Sequence, residues 1–455
     1  MKILLVSPSL QSDKRPYQFA IPQLTLPLIA GMTPPEHEVD ICEEAYGDRI
    51  DFEGDYDLVG ISVMSQTCLR GYEIANEFKK RDKIVIFGGI HASAMPEEAL
   101  LYGDAVVIGE AEGGLWEEVL RDVRNNRLRS FYKLPEVPDL QTHIFPRRDL
   151  IKCSSGKYKI APIETTRGCP YNCDFCTVSR FFGTRQRHKP VRDIIIDAES
   201  CPQKILFFID DNVAFNRKFA LELFKEMIPL KKKWIGQASI SISKDDEVMK
   251  MAFKAGCRGL LIGFESMSDE GINIYRKTLK TVDENIRAVM RLRDNGILTM
   301  ASLIFGLDSD TEEVFDVGYR FLSKSKAAFF QACLMTPYPG TLVFENLKKE
   351  GRILTDDWSK YDTKKVIISP KKMSPERLLK GYDAVRKSIY SVNSIVNRSL
   401  PYLMKGPIES LLFYSLNIGA RNRYKESIGD TICRNPVDIP VDFNTTKYVK
   451  PFKKR

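Results

Sequence analysis

Cys169, Cys173 and Cys176 stand in the segment TRGCPYNCDFCTV (166–178), a C-x3-C-x2-C array on one short loop. Three thiolates so spaced can hold three irons of a 4Fe-4S cluster. The fourth iron then has no protein ligand and is open to chelation by a small molecule, a reactive arrangement and not a closed electron-transfer one. Zinc prefers four ligands, usually offered as two separated pairs. No second pair exists in this chain, which counts against a structural zinc site, the plainer alternative.

The remaining cysteines, Cys42, Cys68, Cys153, Cys201, Cys257, Cys333 and Cys433, are scattered singly. Ten in 455 residues are too dilute for a disulfide scaffold and imply a reducing compartment. The start MKILLVSPSL does not read as an export signal, and no run reaches the roughly 18 apolar residues needed to span a bilayer. A cytoplasmic protein is expected. The net charge of +8 is uneven: residues 359–455 carry 20 Lys plus Arg against 8 Asp plus Glu, a local +12, which leaves −4 for the rest. A basic tail of that kind meets anionic lipid or phosphorylated ligands, or merely keeps the chain soluble.

The elements that must position the cysteines alternate in type. Residues 2–7, 37–42, 57–65, 83–89 and 105–110 are β-rich runs between polar helical stretches, the pattern of a doubly wound parallel sheet. Ligands of such sheets sit at the carboxyl ends of strands. Those ends carry 62–67 and Gly88-Gly89, where the backbone can approach a ligand closely. A proline-containing linker follows over 134–158, and the cysteine loop is then entered from KIAPIETT (159–166). Alternation resumes with strands expected at 205–210, 234–242, 259–266 and 298–307, which reads as a partial or full β/α barrel. Polar groups at its strand ends are Asp210, Asp211 and Asn212, then Glu265 and Ser266. The plainer readings are helix capping for Asp210 and Asp211, an ion pair for Glu265, and packing for Cys333 and Tyr338.

On these residues the chain resembles the radical S-adenosylmethionine superfamily, whose signature is the C-x3-C-x2-C loop. The resemblance implies that Phe175 lies against the adenine of S-adenosylmethionine, that FIDDN (Asp210, Asp211, Asn212) meets its amino group, and that GFES (Glu265, Ser266) contacts ribose and methionine. TPYPGT (336–341) is similar to the turn closing the sixth barrel strand. GISVMSQT, GGIHAS and VVIGEAE resemble the cobalamin-binding domain that precedes the barrel in one class of these enzymes, which implies cobalamin contacts from Ser62, Gln66, Gly88, Gly89 and His91. A satisfied loop histidine is the plainer reading of His91. The segment VDICEEAYGDR lacks the histidine that in many cobalamin proteins ligates cobalt from below. Loss of that donor eases reduction of the metal. The region after the barrel is similar to the extension of hopanoid methylases and other lipid-modifying members.

The resemblance implies a cobalamin-binding Rossmann-like domain (1–133), the linker (134–158), a radical barrel (159–345) and a helical, basic C-terminal extension (346–455). It also implies an enzyme that uses a 4Fe-4S cluster, S-adenosylmethionine and cobalamin to methylate an unactivated carbon of a lipid, isoprenoid or other small molecule. Its electrons would come from a ferredoxin or flavodoxin. Two readings stand beside it: the same architecture performing cyclisation, carbon–carbon coupling or rearrangement, and a non-catalytic cobalamin- or metal-binding protein. Residues 400–420 form two apolar helical patches around Gly406-Pro407 that would either lie on a membrane surface or pack on the barrel. Nucleic acid is not an expected partner.

Overall fold

The structure is a computed structural model that describes residues 1–10, 21–142, 144–152, 158–274, 279–403, 407–426 and 432–433. Its first sheet contains β1 (Lys2–Ser7), β2 (Glu38–Glu43), β3 (Leu58–Ser62), β4 (Ile84–Gly88), β5 (Ala105–Ile108) and β6 (Phe131–Lys133). All pairings are parallel, in the order β2-β1-β3-β4-β5-β6. Runs such as ILLV and AVVI are apolar throughout because helices cover both faces. Thr25–Met32 and Leu115–Arg124 pack on one face, and Cys68–Lys79 and Pro96–Leu100 on the other. The chain leaves β1 on one side for β2 and on the other for β3, so the order reverses there and a crevice opens at the strand ends.

The second sheet follows β7 (Ile160–Ile163). A short antiparallel pair, β8 (Thr166–Arg167) with β9 (Arg187–His188), brackets the cysteine loop. Then come β10 (Ile205–Phe208), β11 (Lys233–Ala238), β12 (Cys257–Glu265), β13 (Leu298–Phe305) and β14 (Phe329–Leu334). The parallel order β7-β10-β11-β12-β13-β14 is that of a partial barrel. The strand expected over 234–242 stops at Ala238. Asn212 Oδ1 accepts the Ser239 N–H at 3.2 Å and draws the chain into a 3-10 turn, Ile240–Lys244.

Segments flanking the barrel are more tightly bound than their composition suggests. In the linker, Arg148 pairs with Asp197 at 2.5 Å and donates to the Pro162 carbonyl at 2.8 Å, while the Arg147 N–H bonds Pro27 O at 2.9 Å. Beyond the barrel, Trp358, Tyr361, Ile367 and Ile368 join the apolar cluster of the first sheet. Helix Pro375–Ile389 packs on the barrel through Leu378, Tyr382, Val385 and Ile389. The two helices expected around Pro407 are Val392–Leu403 and Pro407–Glu426. Buried Arg398 fixes this pair by donating to Asn417 Oδ1 at 2.8 Å and to the carbonyls of Ala327 and Ile389 at 3.1 Å. Tyr402 and Phe413 are buried beside it, so core packing anchors the pair. Among the described residues no helix is long and apolar enough to cross a membrane. Most of the basic end, 434–455, lies outside the described residues, as does Cys153.

Candidate active site

The β8–β9 pair closes the cysteine loop at its base. Gly168 has φ +87°, and a Cβ there would lie 2.5 Å from the Arg185 carbonyl oxygen, so the tight entry requires glycine. Cys169 N–H donates to Gly183 O at 3.3 Å and Cys176 N–H to Cys173 O at 3.0 Å. All three cysteines line a cavity of about 200 Å³ at the barrel mouth. Among the described residues, the group whose ligand atoms all lie within 4.8 Å of one another, as a single ion requires, is Cys68, His91 and Glu98 and not this loop.

Of the residues expected around S-adenosylmethionine, Phe175, Asp211, Asn212 and Glu265 line the loop cavity. Strand period explains Glu265: Leu261, Gly263 and Glu265 face the cavity while Leu260, Ile262 and Phe264 face the helices. A register shift after Gly263 and a φ of +62° at Glu265 turn its carboxylate inward. Asn212 uses Oδ1 on Ser239, whereas its buried Nδ2 has no protein partner. A donor left so in a cavity fits a ligand acceptor. Burial, with the charges of Asp210 and Glu164 adding to it, pushes Asp211 up to about 7.

Two of the expected contacts lie elsewhere. Asp210 is buried with Oδ1 accepting from the Thr165 N–H (2.8 Å), the Thr165 hydroxyl (3.0 Å) and the Thr166 N–H, so it fixes the backbone entering the cysteine loop. Burial raises it to about 6 against those same hydrogen bonds. Ser266 bonds Ser268 Oγ at 3.0 Å beside Asp310, behind the cavity wall. Both share strand parity with core side chains, Phe208 for one and Phe264 for the other. That signal was present in the sequence. Tyr171, Gln237, Ser239 and Ser302 complete the lining and were not anticipated. Cys333 is buried and Tyr338 donates to Tyr361 O at 3.2 Å, both in packing roles.

A second cavity, about 260 Å³, lies between the first sheet and helix Thr25–Met32. Ser62, Gly88 and Gly89 line it, with Gly60, Gly109 and Trp116. No atom lies within 4 Å of a Cβ built on Gly88 or Gly109, so side chains there would occupy the space. An apolar slot walled by Leu5, Ile29, Met32 and Trp116 and floored by glycine suits a flat heterocycle, and so fits a cobalamin nucleotide. Gln66 and His91 are absent from its lining. His91 is fully buried: its Nδ1 lies 3.1 Å from Ser65 Oγ and its Nε2 3.3 Å from Glu98 Oε1. Glu98 also accepts from Tyr72 Oη at 2.8 Å and Trp358 Nε1 at 3.1 Å. Both ring nitrogens of His91 therefore have protein partners, which matches the plainer reading of a satisfied histidine.

A third cavity of about 330 Å³ joins the other two. It shares Ser179 with the loop cavity, and Ile90, Gly109, Glu110 and Phe181 with the sheet cavity. The three cavities thus adjoin through shared wall residues, from the cysteine loop to the glycine ends of the first sheet. Beside it, Arg167 bonds Glu110 and Glu112 at 2.6 Å each and Glu164 at 2.7 Å. Burial raises the carboxyl of Glu164, but Arg167 and Lys189 outweigh that and hold it down to about 2.

Residues 163–322 match the Radical SAM superfamily model and residues 23–117 the B12 binding domain model. The chain is 31% identical over 410 residues to the bacteriochlorophyllide d C-12(1)-methyltransferase of Chlorobaculum tepidum, covering 87% of this chain and 89% of that one. It is 25% identical to the hopanoid C-2 methylase of Rhodopseudomonas palustris, over 74% and 66% of the two chains. The solved structure of the radical S-adenosylmethionine methyltransferase TsrM from Kitasatospora setae, with cobalamin and a 4Fe-4S cluster bound, superposes with TM-score 0.65 at 17% identity over 94% of this chain and 99% of that one, a likeness of fold. With its cysteine loop, glycine-floored slot and joined cavities, the chain belongs to the cobalamin-dependent radical S-adenosylmethionine methyltransferase family, enzymes that work with a 4Fe-4S cluster, S-adenosylmethionine and cobalamin.

Proposed function

We propose that this enzyme methylates an unactivated carbon of a bulky, apolar small molecule that enters the middle cavity between its two sheets. The observation that carries the reading is the shared lining of the three cavities, since radical formation and methyl donation must meet on one substrate. The bound cofactors supply a 5′-deoxyadenosyl radical and a transferable methyl group. The protein's part is to bind, orient and shield.

In this reading Cys169, Cys173 and Cys176 hold three irons. Phe175 covers the adenine, while Asp211, Asn212 and Glu265 orient S-adenosylmethionine. Ser62, Gly88, Gly89 and Gly109 receive cobalamin. Leu134, Val137, Pro138, Phe181 and Pro339 give the middle cavity an apolar wall. The relatives' names specify methylation of a bacteriochlorophyllide and of a hopanoid, which supports a lipid, isoprenoid or tetrapyrrole substrate. Electrons come from a ferredoxin or flavodoxin. The C-terminal helices favour peripheral membrane contact, because Val392, Val396, Leu400 and Leu403 form an i, i+4, i+8, i+11 stripe of side chains each at least half exposed.

The deciding experiment is anaerobic reconstitution with iron, sulfide, hydroxocobalamin, S-adenosylmethionine and titanium(III) citrate, with lipid extract or bacteriochlorophyllide d as alternative substrate arms. Methylation yields S-adenosylhomocysteine and 5′-deoxyadenosine together. Formation of 5′-deoxyadenosine alone would replace this reading with cyclisation or rearrangement.

A further inference from the structure

Six buried charges, three acidic and three basic, lie between the first sheet and the cysteine loop. Arg167 pairs with Glu110, Glu112 and Glu164, Arg187 with Glu110 at 2.6 Å, and Lys189 with Glu164 at 2.9 Å. None of these side chains is more than 12% exposed. The set is formally neutral, so burial leaves no net charge unpaired. Apolar packing would give comparable stability. What charge-assisted, forked hydrogen bonds add is direction.

The direction here is specific. Glu110 and Glu112 sit on the turn after β5, at the strand ends that border the sheet cavity. Arg167 stands two residues before Cys169, and Arg187 and Lys189 lie where the chain returns from the loop. Arg187 also donates to Pro138 O at 2.5 Å and Phe182 O at 3.1 Å. The loop is therefore gripped at both ends by the domain that carries the second cofactor. Apart from Arg187 Nε, which has no partner among the described residues, the charges satisfy one another, and the chemistry proposed above needs none of them as acid or base.

We propose that Glu110, Arg167 and Arg187 are positioning residues: together they hold the cysteine loop in register with the sheet cavity, so that cobalamin in that cavity orders the loop and fixes the gap between the two cofactors. The inference rests on the methyltransferase reading, but its first test does not depend on turnover. Arg187 lies outside the lining of all three cavities, so Arg187→Gln loosens the clamp without touching a ligand surface. The measurement is hydrogen–deuterium exchange of peptides covering 166–189 in the cluster-loaded full-length protein, with and without hydroxocobalamin. In the wild type hydroxocobalamin slows exchange about tenfold, within the usual range of coupling between sites. In Arg187→Gln the slowing falls below about twofold while the visible spectrum still reports bound hydroxocobalamin. Arg187→Lys, which keeps the charge but loses the fork onto Glu110 and likewise lines none of the cavities, serves as the second variant should the first fail to fold by circular dichroism.

The chemical readout uses S-adenosylmethionine, hydroxocobalamin and titanium(III) citrate alone. The clamp predicts that S-adenosylhomocysteine falls about tenfold in the variant and 5′-deoxyadenosine less than about threefold, because the loop and its ligands remain. Equal protection in variant and wild type, or a wild-type loop indifferent to hydroxocobalamin, would overturn the proposal. A wild type that makes no S-adenosylhomocysteine yet shows the coupled exchange would instead sink the methyltransferase reading and leave the clamp standing.

Discussion

Gly88 and Gly89 are adjacent, yet substitution at each should have opposite consequences. Gly88 has φ −149° and ψ −172°, extended backbone open to any residue, and its Cβ position has no atom within 4 Å. Leucine there adds four carbons that point into a cavity of about 260 Å³. Gly88→Leu should therefore fold at least as well as the wild type, gaining about 0.4–1 kcal/mol from the stiffer unfolded chain. Cobalamin, denied that space, should bind at least about 100-fold more weakly, roughly 2.8 kcal/mol. Gly89 has φ +92°, and a Cβ would lie 2.7 Å from Val63 O and 2.9 Å from Val63 N. Gly89→Ala must adopt a disfavoured conformation and also push backbone aside, a loss on the order of 2–3 kcal/mol in stability. Urea unfolding followed by circular dichroism gives the first quantity. Retention of the hydroxocobalamin absorbance through gel filtration gives the second. A Gly88→Leu protein that binds hydroxocobalamin within threefold of the wild type would refute the assignment of this slot. Equal destabilisation by both substitutions would refute the backbone argument.

Asn212→Ala removes the unpartnered Nδ2 from the loop cavity and should weaken S-adenosylmethionine binding by about 10-fold, roughly 1.4 kcal/mol, in equilibrium dialysis; unchanged affinity would remove Asn212 from the site. Asp310 is raised by burial to about 7, against hydrogen bonds to its Oδ2 from the Gly306 and Leu307 N–H groups at 3.0 and 3.1 Å. The folded state therefore holds a proton that the unfolded chain has lost: the associated stability is complete below the ordinary carboxyl pKa of about 4 and is lost as pH rises through about 7. Stability in urea unfolding should therefore fall between about pH 4 and 7, by an amount reaching the order of 4 kcal/mol, and level off above pH 7; Asp310→Asn should flatten that slope because an amide does not titrate, while it can still donate toward Ser266 and Ser309. Val396→Glu with Leu400→Glu should leave the melting temperature within a few degrees, since both side chains are exposed, and abolish cosedimentation with anionic phosphatidylglycerol vesicles; binding that survives would discard the membrane face.

Much of the fold was legible because burial on both faces demands apolar runs, and those runs located β1 to β5 and most of the barrel strands within a few residues. The short edge strand β6 and β14 left no comparable signal: FYK is three residues, and FFQACL mixes polar with apolar positions. At the site, residue type and spacing identified the cysteine loop, but type alone could not tell which acid at a strand end faces the ligand. Asp211 and Glu265 share the odd parity of the cavity face, whereas Asp210 and Ser266 share the even parity of the buried core. Counting alternation separates these four, but not Asn212, which has even parity and still lines the cavity because the chain has left the strand after Phe208. His91 was beyond such counting. Its surroundings include Trp358, whose indole reaches Glu98 across 260 residues, and no local pattern announces a partner at that distance.

That long-range contact also explains how the parts can act as one enzyme. Met335 and Phe344 from the end of the barrel, with Trp358, Tyr361 and Ile367 beyond it, lie in the same apolar cluster as Val63, Tyr72 and Phe87 of the first domain. The extension thus completes a core that the first domain could not close alone, and a chain cut near residue 345 would leave that core uncovered. Hydrophobic contact of this kind holds domains together but is nearly indifferent to small sliding, because it depends on area and not on angle. The ion pairs of Arg167 and Arg187 do discriminate, since the fork of Arg187 onto Glu110 and the 2.6 Å contact of Arg167 Nη1 with the same carboxylate weaken steeply with displacement. Apolar seam and ionic clamp therefore divide the work: the first brings the two cofactor domains together, and the second sets the register in which they meet.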